Sequence, residues 1–330
     1  MPANLTLQYL KAEEEYRRAA TPDEELRCLQ VMLRELPKHK GTDKLQAELK
    51  HKISRAKADV ETAAKSGKKG HGVRVPRQGA GRVILVGGPN AGKSQFVKAV
   101  TRATPEVAPY PFTTREPMPA MMPFEDVMIQ VIDTPPITAD YFDPATQGLI
   151  RGSDLALLLV DLGADEGIEQ LQEVLDHLNK TKTRLARESY LDENDIGLSY
   201  TQAFLVLNKL DDPQFAERRE LLHEFCELEF DEFAISAEHG EGLEPLKAAI
   251  FQALDVVRIY TKLPTAKEPD YDKPFTIRRG GTLLEIAEQI HRDFAKTLKG
   301  ARVWGTNVHD GTMVKADYVL SDKDVVELHV

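Results

Sequence analysis

Short apolar runs separated by amphipathic stretches recur along the middle of the chain. Val83–Val86, Val127–Ile132, Leu155–Leu162 and Phe204–Leu207 are near-continuous apolar runs of strand length, and Phe233–Ile235 is a shorter one. Unbroken runs fit strands buried on both faces, where an alternating pattern would fit strands with one wet face. Between them, Lys93–Thr101, Asp143–Arg151, Gly167–Asn179, Gln214–Glu227 and Leu243–Val256 place apolar residues at helical spacing. This alternation predicts an α/β fold: a mostly parallel sheet with helices on both faces. Its ligand site is then expected at the carboxyl ends of the strands.

The flanks read differently. Residues 4–66 are helical in pattern, with Leu26, Leu29, Leu33 and Leu36 on one stripe, a break at Pro37–Gly41, and Leu45, Leu49 and Ile53 on a second. A helical hairpin or short bundle is predicted. Residues 65–82 are rich in Gly and basic residues with almost no large apolar side chains, the composition of a linker. After Val257 come a strand at Lys273–Arg278, a helix at Thr282–Leu298 with Leu284, Ile286, Ile290 and Phe294 inward, and strands at Ala301–Gly305, Met313–Val314 and Val325–Val330. That set suits a small β-grasp, ubiquitin-like module with Trp304 packed near its sheet edge. The expected division is 1–66 helical, 67–81 linker, 82–256 nucleotide-binding and 257–330 β-grasp. Residues 181–202 are polar and predict an exposed excursion.

The chemistry sits at strand ends. After Val86 follow Gly87, Gly88, Pro89, Asn90, Ala91, Gly92, Lys93, Ser94 and Gln95, with the G-x-x-x-x-G-K-S spacing of a phosphate-binding loop. Its glycines turn backbone N–H groups inward, Lys93 supplies a charge for the outer phosphates, Ser94 offers a hydroxyl to Mg²⁺, and the helix that follows aims its positive end at the anion. Such a loop does not choose between ATP and GTP. Asn208-Lys209-Leu210-Asp211 does: the Asp211 carboxylate can accept from both guanine N1–H and the 2-amino group, a donor pair that adenine lacks. Ser236-Ala237 ends the next strand.

Charge adds an asymmetry. The net charge is −10, yet residues 1–82 hold 18 Lys and Arg against 11 Asp and Glu, leaving the remainder at −17. Two readings of the basic arm stay open: contact with RNA phosphates through Lys65, Lys68, Lys69, Arg74, Arg77 and Arg82, or an ordinary solvated face. No run approaches the ~20 apolar residues that span a membrane, and the amino terminus lacks the apolar core of a signal peptide. The two cysteines, Cys28 and Cys226, lie far apart and read as reduced thiols. A cytoplasmic protein is expected.

The motif set and its order resemble the Obg-like GTPases, most closely the developmentally regulated GTP-binding proteins, with a carboxyl-terminal TGS domain. GGPNAGKS (Gly87–Ser94), YPFTT (Tyr110–Thr114), DTPP (Asp133–Pro136), NKLD (Asn208–Asp211) and SA (Ser236–Ala237) carry the likeness, and VRIYTK (Val257–Lys262), ARVWG (Ala301–Gly305) and ADYVLSDKDVVEL (Ala316–Leu328) extend it to the tail. The resemblance implies Mg²⁺-dependent binding and hydrolysis of GTP. Ser94 and Thr114 would be metal ligands, with Thr113 the second choice, and Asp133 would act through a water. Lys93, Thr114 and Asn90 would be catalytic, and the Ala237 N–H would face guanine O6. Partners implied are the ribosome or RNA, with a protein partner for the TGS domain and none in DNA or membrane.

Four departures qualify it, one of them the amino-terminal arm, which is its own version and matches the group only loosely. Pro136 stands where such GTPases carry a glycine whose N–H contacts the terminal phosphate, and proline has none. Ile137 stands where many carry the glutamine that orients the attacking water. The stretch between the central motifs is too short for the extra domain of the developmentally regulated group. Slow hydrolysis is expected, helped by a partner or by a potassium ion beside Asn90, unless Asn90 is a plain loop residue. The alternative is a hydrolysis-impaired guanine-nucleotide scaffold; an ATPase is disfavoured by Asp211.

Overall fold

The computed structural model describes residues 5–19, 22–37, 42–65, 75–101, 117–138, 142, 144–192 and 198–329. Three helices open the chain: α1 (Leu7–Arg17), α2 (Pro22–Glu35) and α3 (Asp43–Lys65). Tyr9, Ala12, Tyr16, Leu29, Met32, Leu36 and Leu49 form their common core. Of the hairpin or short bundle predicted, the structure forms the bundle, with three helices. Its first helix escaped the leucine pattern because two tyrosines, not leucines, carry its buried face.

Next come β1 (Arg82–Val86), α4 (Lys93–Thr101), β2 (Met118–Phe124), β3 (Val127–Asp133), α5 (Pro144–Arg151), β4 (Leu155–Asp161), α6 (Glu166–Asn179), β5 (Thr183–Ala186), β6 (Tyr190–Leu191), β7 (Ser199–Asn208), α7 (Phe215–Phe225), β8 (Asp231–Ile235) and α8 (Leu243–Ala253). The sheet runs β2-β3-β1-β4-β7, and β8 pairs with the carboxyl half of β7. All of these pairs are parallel except β2 on β3. Successive residues of a strand face opposite sides, and the core divides accordingly. Val83 and Leu85 pack with Phe96, Val100, Leu246 and Ile250, whereas Ile84 and Val86 pack with Ile150, Leu171, Val174 and Leu222.

The structure adds strands that the hydrophobic pattern hid. β2 carries Pro119 and Pro123. They share one parity, so the N–H they lack falls on the open edge of a strand that pairs with β3 alone. The polar excursion at 181–202 supplies β5 and β6, both paired with the amino half of β7.

The tail continues with β9 (Val256–Thr261), β10 (Asp270–Arg278), α9 (Leu283–Ile290), α10 (Arg292–Thr297), β11 (Gly300–Gly305), β12 (Val308–Val314) and β13 (Asp324–His329). Its sheet runs β10-β9-β13-β11-β12, with β9 and β13 parallel. Leu283, Ile286 and Ala287 close its core against Val257, Ile259, Ala301, Val303 and Val326. The single predicted helix at Thr282–Leu298 breaks at His291, which is extended (φ −161°, ψ 131°) and caps α10 by accepting from the Asp293 N–H. Leu284, expected inward, is 40% exposed. No helix among the described residues is long and apolar enough to cross a membrane.

Candidate nucleotide site

The phosphate loop joins β1 to α4 at the carboxyl edge of the central sheet, as expected from the strand pattern. Gly92 adopts φ +89°, and a Cβ there would lie 2.0 Å from Asn208 Nδ2. The loop therefore closes only with glycine at that position. Asn90 also has positive φ, at +58°. The loop lines a cleft of about 540 Å³ together with Thr134, Pro136, Asp161, Lys209 and Glu238. A larger cavity of about 1100 Å³, between α1, β6 and the end of β10, holds none of the phosphate or guanine motifs.

Lys93 opens α4 and is only 7% exposed. Its Nζ donates to the carbonyl oxygens of Gly87 and Gly88 at 2.9 and 2.8 Å. Burial pushes the ammonium down to about 8, and neighbouring Asp133 opposes that shift. Ser94 Oγ donates to Asp133 Oδ2 at 2.6 Å. Asp133 Oδ1 is buried without a hydrogen-bond partner. Burial raises the Asp133 carboxyl, against the Ser94 hydrogen bond and Lys93. A hydroxyl beside a buried carboxylate with a free oxygen is a hard donor set that fits Mg²⁺, so these residues suit the ion the sequence implies.

Asn208 ends β7 beneath the loop. Its Nδ2 donates to the Ala91 carbonyl at 3.1 Å, and its Oδ1 accepts from the Ala237 N–H at 3.0 Å. One buried amide thus ties the phosphate loop to the turn that follows β8. Lys209 takes φ +72° and faces the cleft. A hydrogen bond from Ser236, with charges on His239 and Lys209, holds the Asp211 carboxyl below the usual carboxylate range. Strand order β1-β4-β7-β8 brings all three motifs to one edge although more than a hundred residues separate the first from the last.

The switch side departs from the pattern, as the sequence indicates. The Ile137 N–H donates to the Gly87 carbonyl at 3.2 Å, and the side chain is 2% exposed. The Thr134 hydroxyl donates to the Leu85 carbonyl. Pro136 lines the cleft without an N–H to offer. Thr113 and Thr114 lie outside the described residues.

Sequence reasoning passed over Asp161 and Glu238. Asp161 is the last residue of β4, and the strand-end rule would have found it; its Oδ1 accepts from the Gly163 N–H at 2.8 Å. The linker is partly corrected too. Arg77 pairs with Asp154 at 3.1 Å, and Arg82 is buried, donating to Gln130 Oε1 and the Val75 carbonyl. These two face the protein and not an external phosphate. Lys68, Lys69 and Arg74 lie outside the described residues.

Comparison with known proteins agrees with this geometry. The protein-family description "50S ribosome-binding GTPase" matches residues 82–190, and the TGS domain family matches residues 257–330. An uncharacterized GTP-binding protein of Methanocaldococcus jannaschii is 27% identical over 366 positions, spanning 93% of this chain and 92% of that one. Developmentally-regulated G-protein 2 of Arabidopsis thaliana is 27% identical over 370 positions, covering 92% and 90%. Ribosome-interacting GTPase 1 of Saccharomyces cerevisiae is 24% identical over 371 positions, covering 94% and 99%. Each alignment is longer than this chain's 330 residues, so the relatives carry insertions that it lacks. The chain thus carries a domain of the 50S ribosome-binding GTPase family followed by a TGS domain, and it is similar over most of its length to proteins named as developmentally regulated GTP-binding proteins.

Proposed function

We propose that the cleft binds GTP and GDP with Mg²⁺ and hydrolyses GTP slowly. The observation that carries this is the Ser94–Asp133 pair, with its unpartnered buried oxygen, set beside Lys93. Ser94 and Thr114 would hold the ion directly and Asp133 through a water; once bound, it neutralises developing phosphate charge. Lys93 and the amino end of α4 supply further positive potential at the phosphates. Asn208 keeps the loop in register with the guanine-reading turns, where Asp211 takes the base edge, the Lys209 stem lies over the base plane and Ala237 offers its N–H to O6.

No glutamine stands at position 137, and Pro136 gives no N–H. Hydrolysis therefore needs outside help, either from a partner or from potassium held beside Asn90, which lines the cleft at positive φ. Residues 82–256 form the catalytic unit in this reading. The helical unit, the basic linker at 67–81 and the TGS domain at 257–330 recruit the ribosome or RNA in the cytoplasm, with the TGS domain also open to a protein partner. The name of the yeast relative favours the ribosome.

The test is GTP turnover by the full chain with Mg²⁺, in potassium chloride and in sodium chloride at equal ionic strength. Turnover that is faster in potassium supports an active enzyme using Asn90. Tight GDP binding with no turnover in either salt, with or without ribosomes, would favour the second reading, a nucleotide-binding scaffold. Pro136 and the buried Ile137 speak for that reading.

A further inference from the structure

A carboxylate that must accept two hydrogen bonds in the plane of a base has to be fixed in rotation. Asp211 sits on a loop, and its side chain is 30% exposed, so its own packing does not fix it. Beside it lies Ser236, which is fully buried and whose hydroxyl is the chief influence holding the Asp211 carboxyl below its usual range. The Ser236 oxygen has two neighbours within hydrogen-bond distance.

Those neighbours both belong to His239. The His239 backbone N–H donates to Ser236 Oγ at 3.1 Å, and the ring Nδ1 lies 3.2 Å from the same oxygen. In the tautomer that carries its proton on Nδ1, that N–H donates to the Ser236 oxygen. Nδ1 also lies 3.5 Å from Asp211 Oδ2, so one ring nitrogen stands between the hydroxyl and the carboxylate. The turn makes this arrangement compulsory: the Gly240 N–H donates back to the Ser236 carbonyl at 2.8 Å, with Gly240 at φ +84°. The chain is thereby reversed three residues after Ser236, and His239 returns toward the base-reading carboxylate. Lys209 and Glu238 are the other charged groups at this corner of the cleft.

We propose that His239 is a positioning residue for guanine recognition, its Nδ1–H bracing the Ser236 hydroxyl and the Asp211 carboxylate in the orientation that accepts guanine N1–H and the 2-amino group together. This rests on the reading of the cleft as a guanine-nucleotide site and names the group that sets its base selectivity. A surface ion pair of this exposure adds little to folding. The effect is therefore expected in base discrimination, not in stability.

The experiment measures affinities of the full chain for GDP and inosine diphosphate, which lacks the 2-amino group. His239→Ala, His239→Asn and Asp211→Asn are compared with the parent chain. His239→Ala should weaken GDP about three- to tenfold, the worth of one hydrogen bond, and weaken inosine diphosphate less, so the preference between them falls. His239→Asn keeps an N–H donor at the δ position and should restore the preference. If Asp211→Asn abolishes the preference while His239→Ala leaves it intact, the role of His239 is overturned and the guanine reading stands. If Asp211→Asn leaves the preference unchanged, the guanine reading fails and this inference fails with it.

Discussion

The Ile137 N–H donates to the Gly87 carbonyl at 3.2 Å, joining the residue after the DTPP motif to the first residue of the phosphate loop. Gly87 also accepts from Lys93 Nζ at 2.9 Å. One carbonyl therefore holds both the phosphate-loop lysine and the start of the second switch. Together with Pro136, this leaves neither backbone group at positions 136 and 137 free to report a terminal phosphate.

Pro136→Gly should return the missing N–H. The expected outcome is a rise in preference for a non-hydrolysable GTP analogue over GDP, by about three- to tenfold for one recovered hydrogen bond. Titration of both nucleotides against each chain checks it. An unchanged ratio would mean that the proline does not limit nucleotide discrimination.

Ile137→Gln should not create an efficient hydrolase. The side chain is 2% exposed and packed with Val86, Ile132 and Leu158 in one core cluster. Burying an amide there without partners costs roughly 1–3 kcal/mol. A lower melting temperature with no gain in turnover is expected. Faster turnover at unchanged stability would show the residue free to swing to the phosphates.

Lys93→Ala removes a buried cation whose two partners are loop carbonyls. Nucleotide affinity should fall more than about tenfold, since charged hydrogen bonds contribute roughly 1.5–3 kcal/mol each. Calorimetry with GDP and Mg²⁺ reads this directly, and retained affinity would remove Lys93 from the phosphate site.

The phosphate loop, the NKLD and SA turns and their strands were legible in the sequence because each signal is local: an apolar run followed by a fixed spacing. Asn208's double role was not legible. It joins Ala91 to Ala237 only because β1, β4, β7 and β8 stand in that order, and spacing along the chain carries no such information. β2 was hidden by prolines that an edge strand tolerates. The break at His291 was hidden by an amphipathic pattern that continues across it. Arg77 and Arg82 read as free cations because their partners, Asp154 and Gln130, lie at least 48 residues away.

Arg258 in β9 binds Asp322 at 2.7 Å and reaches across to Glu125 and Asp126 in the β2–β3 turn, where Tyr260 also donates to Asp126. It is 5% exposed while its carboxylate partners are partly solvated, and Arg258→Ala should destabilise the chain by about 1.5–3 kcal/mol, the range for hydrogen bonds to charged groups. Burial pushes the Asp126 and Asp322 carboxyls up, but hydrogen bonds from Tyr260 and Arg258 to the first, and from Arg258 to the second, outweigh it and hold both below the usual carboxylate range. Groups of depressed pKa stabilise the fold above their unfolded value, near 4, and lose that contribution as pH falls through the folded one. Melting curves from pH 7 to pH 3 should show a steeper acid loss in the parent chain than in Arg258→Ala. Parallel curves would mean that the network is not coupled to folding.

The basic linker gives a prediction that separates its arginines from its lysines. Arg77 is paired with Asp154, and its Nη2 also donates to the Gly152 carbonyl, so its charge is engaged within the protein. Arg77→Ala should lower stability and leave the salt dependence of RNA or ribosome binding unchanged. Replacing Lys65, Lys68 and Lys69 by Gln should leave stability unchanged. If they meet phosphates, as proposed, the slope of log affinity against log salt should become shallower by up to about 2, on the counterion-release value of roughly 0.7 per single-strand contact. Binding to a single-stranded RNA and to ribosomes, each measured from 50 to 200 mM potassium chloride (about the range in which such slopes are read), distinguishes the outcomes. An identical slope in the triple variant would assign the lysines to a solvated face and move the search for the RNA-binding surface to the TGS domain.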